Sequence, residues 1–249
     1  MAHQFYFGTG NIYILPSGGG TPLQVAAIQN ASVNFDGDTK ALYGQNQFPL
    51  DTARGKVKIT GKFEVGQINS ALWNAVFFGQ TVTAGQTLQA LNEGPAAIPT
   101  TPFQITAANG ATFSQDLGVY YSASGLPLTA ITTGTPAAGQ YKLGTGGVYT
   151  FSSADNVSGY SAILNYEYGS SSTGKTLAVN NQLMGQMPVY SLHLNNNTKG
   201  KQSVLQLYAC TSGKLDFPFK QDDYGLQSID FMAQDDGTGR IFSWSTTEG

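Results

Sequence analysis

Apolar and polar residues alternate with a period of two in two stretches near the start of the chain. Ala31, Val33 and Phe35 interleave with Asn30, Ser32 and Asn34, and later Val57, Ile59, Phe63 and Val65 interleave with Lys56, Lys58, Lys62 and Glu64. Successive side chains of a strand point to opposite faces, so this spacing predicts two half-buried β-strands. Between them, residues 36–55 form a charged segment far longer than the two to five residues of a tight hairpin turn. It reads as a long loop whose task lies outside the subunit's own core.

The period then changes. Ile68, Leu72, Ala75 and Val76 fall on one helical face, with Gly66 ahead of them and Gly79 placed to stop the turn, which predicts one short helix packed on the sheet. Trp73, Phe77 and Phe78 widen its apolar side and read as core. Toward the end, strands are predicted at residues 189–194, 204–209, 215–219, 229–233 and 241–244. Residues 195–201 and 235–239 hold the Asn, Asp and Gly that tight turns need, because these residues tolerate positive φ.

Composition supports an all-β, mainly antiparallel fold. Glycine (31), tyrosine (13) and phenylalanine (14) are abundant while only 11% of residues are charged, the profile of strands and turns rather than of amphipathic helices. Charge is also unevenly spread. Residues 80–180 carry only Glu93, Asp116, Lys142, Asp155, Glu167 and Lys175, and Pro95, Pro99, Pro102, Pro127 and Pro136 break that stretch into short pieces. A discontinuous core domain, 1–79 with 181–249, is therefore expected to hold an inserted β module at 80–180.

A net charge of −3 and a pI near 5.2 argue against a protein that grips nucleic acid, since phosphate binding needs clustered Lys and Arg. Cys210, the single cysteine, excludes an intrachain disulfide, and its setting in an apolar strand predicts a buried thiol. The first residues lack a basic leader and an apolar core, and no run approaches a membrane span. The expectation is a chain made in a reducing cytoplasm without a membrane anchor, where the sequons at Asn30, Asn156 and Asn196 carry no weight.

Candidate chemistry is thin. Residues 169–176, Gly-Ser-Ser-Ser-Thr-Gly-Lys-Thr, satisfy the phosphate-loop pattern and follow a strand-like 162–168, but the helix and the βαβ alternation that such a loop requires are not apparent. A flexible Ser/Gly turn is the favoured reading. His3 and His193 have no obvious acid or nucleophile beside them, and adjacent acids in extended chain, Asp222 with Asp223 and Asp235 with Asp236, point to opposite sides. Asp36-Gly-Asp38 and Asp235-Asp-Gly237 lack a full calcium-loop ligand set and read as turns. No catalytic residue, metal or cofactor is expected. Lys56, Lys58 and Lys62, with Glu64 beside them, suit either a nucleic-acid face or an ion-pair surface between subunits.

The runs Ala31-Ser-Val-Asn-Phe-Asp36, Lys40-Ala-Leu-Tyr-Gly44, Phe48-Pro49 and Gly55-Lys-Val-Lys-Ile-Thr-Gly-Lys62, then a short helix ending Phe-Phe-Gly79, resemble the major tail tube proteins of tailed bacteriophages. Residues 213–220, 229–237 and 240–242 are similar to the closing strands of that family. The resemblance covers residues 1–79 and roughly 181–249 and implies a β-sandwich or barrel with one helix, copies joined in hexameric rings, and rings stacked into a hollow tail tube of the virion. It implies an inter-subunit or inter-ring loop, here Asp36, Asp38, Lys40, Leu42, Tyr43, Phe48, Pro49, Asp51 and Arg54, and a channel-wall strand face, here Lys56, Lys58, Lys62 and Glu64. The implied partners are other copies of the chain, tail tip or baseplate, terminator and tape measure proteins, and genomic DNA passing without tight binding. Residues 80–180 depart from the shortest family members and are expected on the outer surface. A β-sandwich binding or decoration module of a virion or bacterial surface is the competing expectation, and a nucleotide-binding enzyme using Lys175 the third.

Overall fold

Alternation of buried and exposed positions recurs through nearly every strand. A computed structural model describes residues 7–156 and 160–247; His3 and part of the Asn156 sequon lie outside the described residues. In chain order the strands are β1 (Asn11–Pro16), β2 (Leu23–Val25), β3 (Ile28–Tyr43) and β4 (Pro49–Val65), then helix α1 (Ser70–Trp73). There follow β5 (Val82–Ala97), β6 (Gln104–Thr106), β7 (Phe113–Tyr121), β8 (Thr129–Ile131), β9 (Gln140–Gly144), β10 (Val148–Phe151) and β11 (Ser161–Leu177). The chain ends with β12 (Tyr190–Thr198), β13 (Lys201–Asp216), β14 (Gln227–Gln234) and β15 (Phe242–Thr246). Among the described residues β8 and β9 pair in parallel and the other strands whose register is defined pair antiparallel, so the fold is all-β and mainly antiparallel.

The chain divides into two compact units, Met1–Val82 with Leu177–Gly249, and Thr83–Thr176. In the first, one sheet runs β2-β1-β12-β13-β14-β4-β3, and β15 also pairs with β13. The long β13 makes this possible. Residues 203–207 pair with β15, and after Tyr208 the same edge pairs with β14 from Ala209 onward; β12 covers the opposite edge only as far as Cys210. A register shift between Thr211 and Lys214 bends the strand, as bulges do. The sheet thereby folds on itself like a sandwich, β2-β1-β12-β13-β15 against β13-β14-β4-β3.

Ile12, Ile14, Leu192 and Leu207 from one half meet Ile59, Phe63, Val65 and Ile229 from the other, and Leu72 and Val76 join the same core. Full burial of each such side chain contributes roughly 1.5–3 kcal/mol. Cys210 is fully buried among them, and burial pushes its thiol up to about 12.

Asn69 accepts from the Ala71 and Leu72 amides (3.1 and 3.2 Å) and starts α1, which lasts one turn before Asn74–Phe78 widens into a π turn. Gly79 ends it at φ 62°, a left-handed conformation that glycine adopts without strain. Ile68 was expected on the helical face; it precedes the Asn69 cap and is 75% exposed. Trp73, Phe77 and Phe78 are half-buried.

Four further expectations are corrected. Residues 36–55 are not a loop: β3 and β4 continue through them as a ladder reaching Tyr43 opposite Pro49, and only residues 44–48 turn. Asp36-Gly-Asp38 is accordingly strand, not turn. Residues 215–219 are no separate strand, because Leu215 and Asp216 are the last residues of β13 and Phe219 is fully exposed. Residues 169–176 form neither a phosphate loop nor a flexible turn but continue β11 alongside β5. There Thr176 donates to the Gly85 carbonyl (2.8 Å) and Gln86 to the Thr173 hydroxyl (3.2 Å). Ser and Thr are polar yet β-branched or small, and their hydroxyls tie neighbouring strands. The predicted turn 195–201 narrows to Lys199-Gly200, both at positive φ.

The second unit holds a three-stranded sheet, β5-β11-β7, and a four-stranded one, β6-β10-β9-β8. Three of its four carboxylates anchor tyrosines, while Glu167 accepts from Gln89. Asp116 accepts from Tyr141 and Tyr149 hydroxyls and from the Gly118 amide; Asp155, itself buried, accepts from Tyr121 (2.9 Å) and the Gly139 amide; Glu93 accepts from Tyr166 and the Ala108 amide. Burial, then the hydrogen bond to Asp155, pushes Tyr121 up to about 12, and burial likewise raises Tyr141 and Tyr149.

Candidate assembly surface

Alternate residues of β4 from Ile59 to Val65 and of β14 from Gln227 to Phe231 pack into the core, with Ala31 and Val33 of β3 and Leu215 of β13 against them, so the residues between them share the opposite face. Register places them in rows. Ser32, Lys62, Asp230 and Lys214 lie side by side across the four strands; Glu64, Ser228 and Asp216 form the row on one side, Asn34, Thr60, Met232 and Thr211 the row on the other, and Asp36 pairs with Lys58 beyond. A shallow cleft of about 690 Å³ lies over these rows.

Charges on this face alternate in sign. Lys62 bonds Glu64 (2.6 Å) along β4 and faces Asp230 across the ladder, while Lys214 bonds Asp216 (2.7 Å). The hydrogen bond to Glu64, and to Asp216, holds each ammonium above its usual range, with Asp230 adding to both. Such exposed pairs add little stability, but they leave no uninterrupted basic stripe for phosphates. Of the four wall residues singled out from sequence, Lys58, Lys62 and Glu64 share the face. Lys56 sits at the irregularity between Gly37–Val57 and Thr39–Arg54, without a register partner in β3. Asp230, Lys214 and Asp216 were missed, although their alternation with the core residues Ile229, Phe231 and Leu215 was the available signal.

Both edges of this four-stranded half lack a strand partner among the described residues. β3 pairs only with β4, and β13 beyond Cys210 pairs only with β14. Unpaired N–H and C=O groups along an edge are templates for another chain.

From Asp36 to Lys58 all residues are exposed, so the outer parts of β3 and β4 form a two-stranded arm beyond the core. It carries every residue of the predicted joint: Asp36, Asp38, Lys40, Leu42 and Tyr43 on β3, Phe48 in the turn, and Pro49, Asp51 and Arg54 on β4. Leu42, Tyr43, Phe48 and Leu50 gather exposed apolar surface at its tip. Leu50 was not among the residues named from sequence, although its neighbours Pro49 and Asp51 were. A two-stranded ribbon is marginal in water on its own, and its apolar tip is left exposed by the described residues.

The remaining candidates serve local structure. Asp235 accepts from the Gly237 and Gly239 amides, and Asp236 from Thr238 and Arg240, folding the loop between β14 and β15; Asp223 pairs with Lys220 and caps the Tyr224 amide. His193 lies mid-strand in β12, its Nε2 buried without a partner, and burial lowers the imidazole below its ordinary value. No known protein family matches the chain, and a search of curated proteins returns no match.

Proposed function

We propose that the chain is a non-catalytic structural subunit that assembles with itself as stacked hexameric rings into the hollow tail tube of a bacteriophage, the conduit for DNA delivery. One observation carries the reading: the four-stranded half β13-β14-β4-β3 has unpaired edges on both sides and a polar, charge-alternating outer face. Pairing β3 of one copy with the free end of β13 in the next would extend the sheet around a ring, and closure removes the edges. Barrels with many strands leave an aqueous channel. Interleaved Lys and Asp or Glu on its wall would let DNA slide without the counterion release that traps it. The arm joins copies, and the tube ends would meet tip or baseplate, terminator and tape measure proteins of the virion, assembled in the host cytoplasm.

Negative-stain microscopy of the purified chain tests this, beside a variant lacking residues 40–50. Expected are hollow rings or tubes from the intact chain, and monomers with unchanged thermal unfolding from the variant, since the arm is exposed throughout. An intact chain that stays monomeric at high concentration, or a variant that still forms tubes, counts against it.

A further inference from the structure

A strand edge without a partner shows its backbone to water and to other chains. The free end of β13 departs from this where it begins. Thr211 and Ser212, the first residues beyond the pairing with β12, are 8% and 2% exposed, whereas Gly213, Lys214 and Asp216 further along are exposed. Ser212 is tied to the core by the bond between its hydroxyl and that of Tyr190 (2.6 Å). Thr211 lies on the polar face, in the row with Asn34, Thr60 and Met232, none of which is buried. Its cover comes from outside the sheet.

Beside this edge runs the segment joining β11 to β12. Residues 178–187 belong to the first unit, form no strand and are exposed throughout. Met187 lines the cleft over the charged rows with Thr211, Gly213 and Met232. With Val179 and Gln186 it also lines a second cleft, of about 540 Å³, shared with Phe78 of the π turn, Ser212 and Gly213. Sequence explains why the segment lies there unpaired. Tyr190 opposes Cys210, so a longer β12 would run on opposite Thr211 and Ser212, but Pro188 has no N–H to give and the Val189 carbonyl is taken by the Ser17 amide (3.0 Å). The hold is weak. Among the described residues no backbone hydrogen bond joins residues 178–187 to β13, and the segment bonds only to itself, Gln186 to the Leu183 carbonyl (3.4 Å). No charged residue occurs between Lys175 and Lys199, so no ion pair fixes it, and Leu183 and Met184 face water.

We infer that residues 178–187 form a strap that shields the open end of β13 in the single chain, through Met187 beside Thr211 and Gly213, and lifts away when that edge takes the β3 edge of a second copy. This rests on the ring reading above and adds a control on it. Only chains with the strap lifted can pair, so the apparent affinity between copies falls by the fraction that is lifted. The same cover keeps an unpaired edge from pairing with any strand it meets.

A removable staple tests it. Met187→Cys with Gly213→Cys puts two thiols at the contact, Gly213 having open space for a side chain, and a short bis-thiosulfonate linker joins them until dithiothreitol cleaves it. Cys210 is buried and stays out of the reaction. Expected are monomers from the stapled chain and rings or tubes from the same sample after reduction. A second variant, with residues 179–187 replaced by glycine and serine, leaves the edge uncovered and should assemble at a lower concentration than the intact chain, read by light scattering. A stapled chain that assembles as well as its reduced form, or a replaced strap with an unchanged threshold, overturns the strap and leaves the ring reading standing. Monomers from the intact, reduced and strap-replaced chains alike overturn both.

Discussion

Gly61 of β4 and Phe231 of β14 are cross-strand partners, and the phenyl ring occupies the space where a side chain at Gly61 would begin. A β-carbon there would overlap Phe231 Cζ and lie 2.5 Å from the Ser32 carbonyl oxygen on β3. Phe231 also packs on Phe63 (6.1 Å between centroids), so three strands of the proposed wall close over one missing side chain. Gly61→Ala should destabilise the chain by about 1–3 kcal/mol, the usual range for overpacking a core. The midpoint of urea unfolding should fall with an unchanged slope.

Asp116 offers a second test, in the other unit. Asp116→Ala removes the acceptor of both Tyr141 and Tyr149, and each buried hydroxyl left without a partner costs about 1–3 kcal/mol. Adding Tyr149→Phe to that variant should recover part of the loss, because the orphaned group is gone. Calorimetry of the three proteins, compared at one pH, gives the ordering.

Stability should also decline in alkali. Tyr121, Tyr141 and Tyr149 are held above their ordinary value in the folded chain, chiefly by burial. Unfolding frees them to ionise, so their contribution is fully present below about pH 10, the value of an unperturbed phenol, and is lost as pH rises toward the folded value, about 12 for Tyr121. Urea midpoints measured from neutral pH upward should stay level and then drop. A level profile through strong alkali would contradict the burial of these hydroxyls.

The Cys210 thiol should not react with a soluble alkylating agent in the native chain. It is fully buried in the sandwich core, and burial raises it to about 12, which suppresses the reactive thiolate. Mass spectrometry should show modification only after unfolding. Native-state labelling at the rate of a free thiol would place the residue elsewhere.

The alternation of Ala31 and Val33 with polar residues, and of Ile59, Phe63 and Val65 with Lys and Glu, was legible because a half-buried strand imposes a period of two on its own residues; Phe35 and Val57, expected on the same side, are exposed at the root of the arm. The same rule failed for residues 36–55. An arm exposed on both faces has no buried side to impose alternation, so strand there looks like charged loop. It failed again at residues 169–176, where the Thr173 and Thr176 hydroxyls bond to β5 in a segment whose composition mimics, in one dimension, a glycine-rich loop.

The sequence by itself determined the β class, the short helix after β4, the buried cysteine and the peculiarity of the segment between the first two strong strands, since each follows from local spacing or composition. Tertiary structure alone decided that Asp230 of β14 lies between Lys62 of β4 and Lys214 of β13, and that β3 and the end of β13 are left as open edges. Those relations depend on register between strands, β4 and β14 lying far apart in sequence, fixed by the shared core of Phe63, Ile229 and Leu207 and by the bend in β13. No one-dimensional pattern carries that information, because either strand would keep the same alternation in many registers.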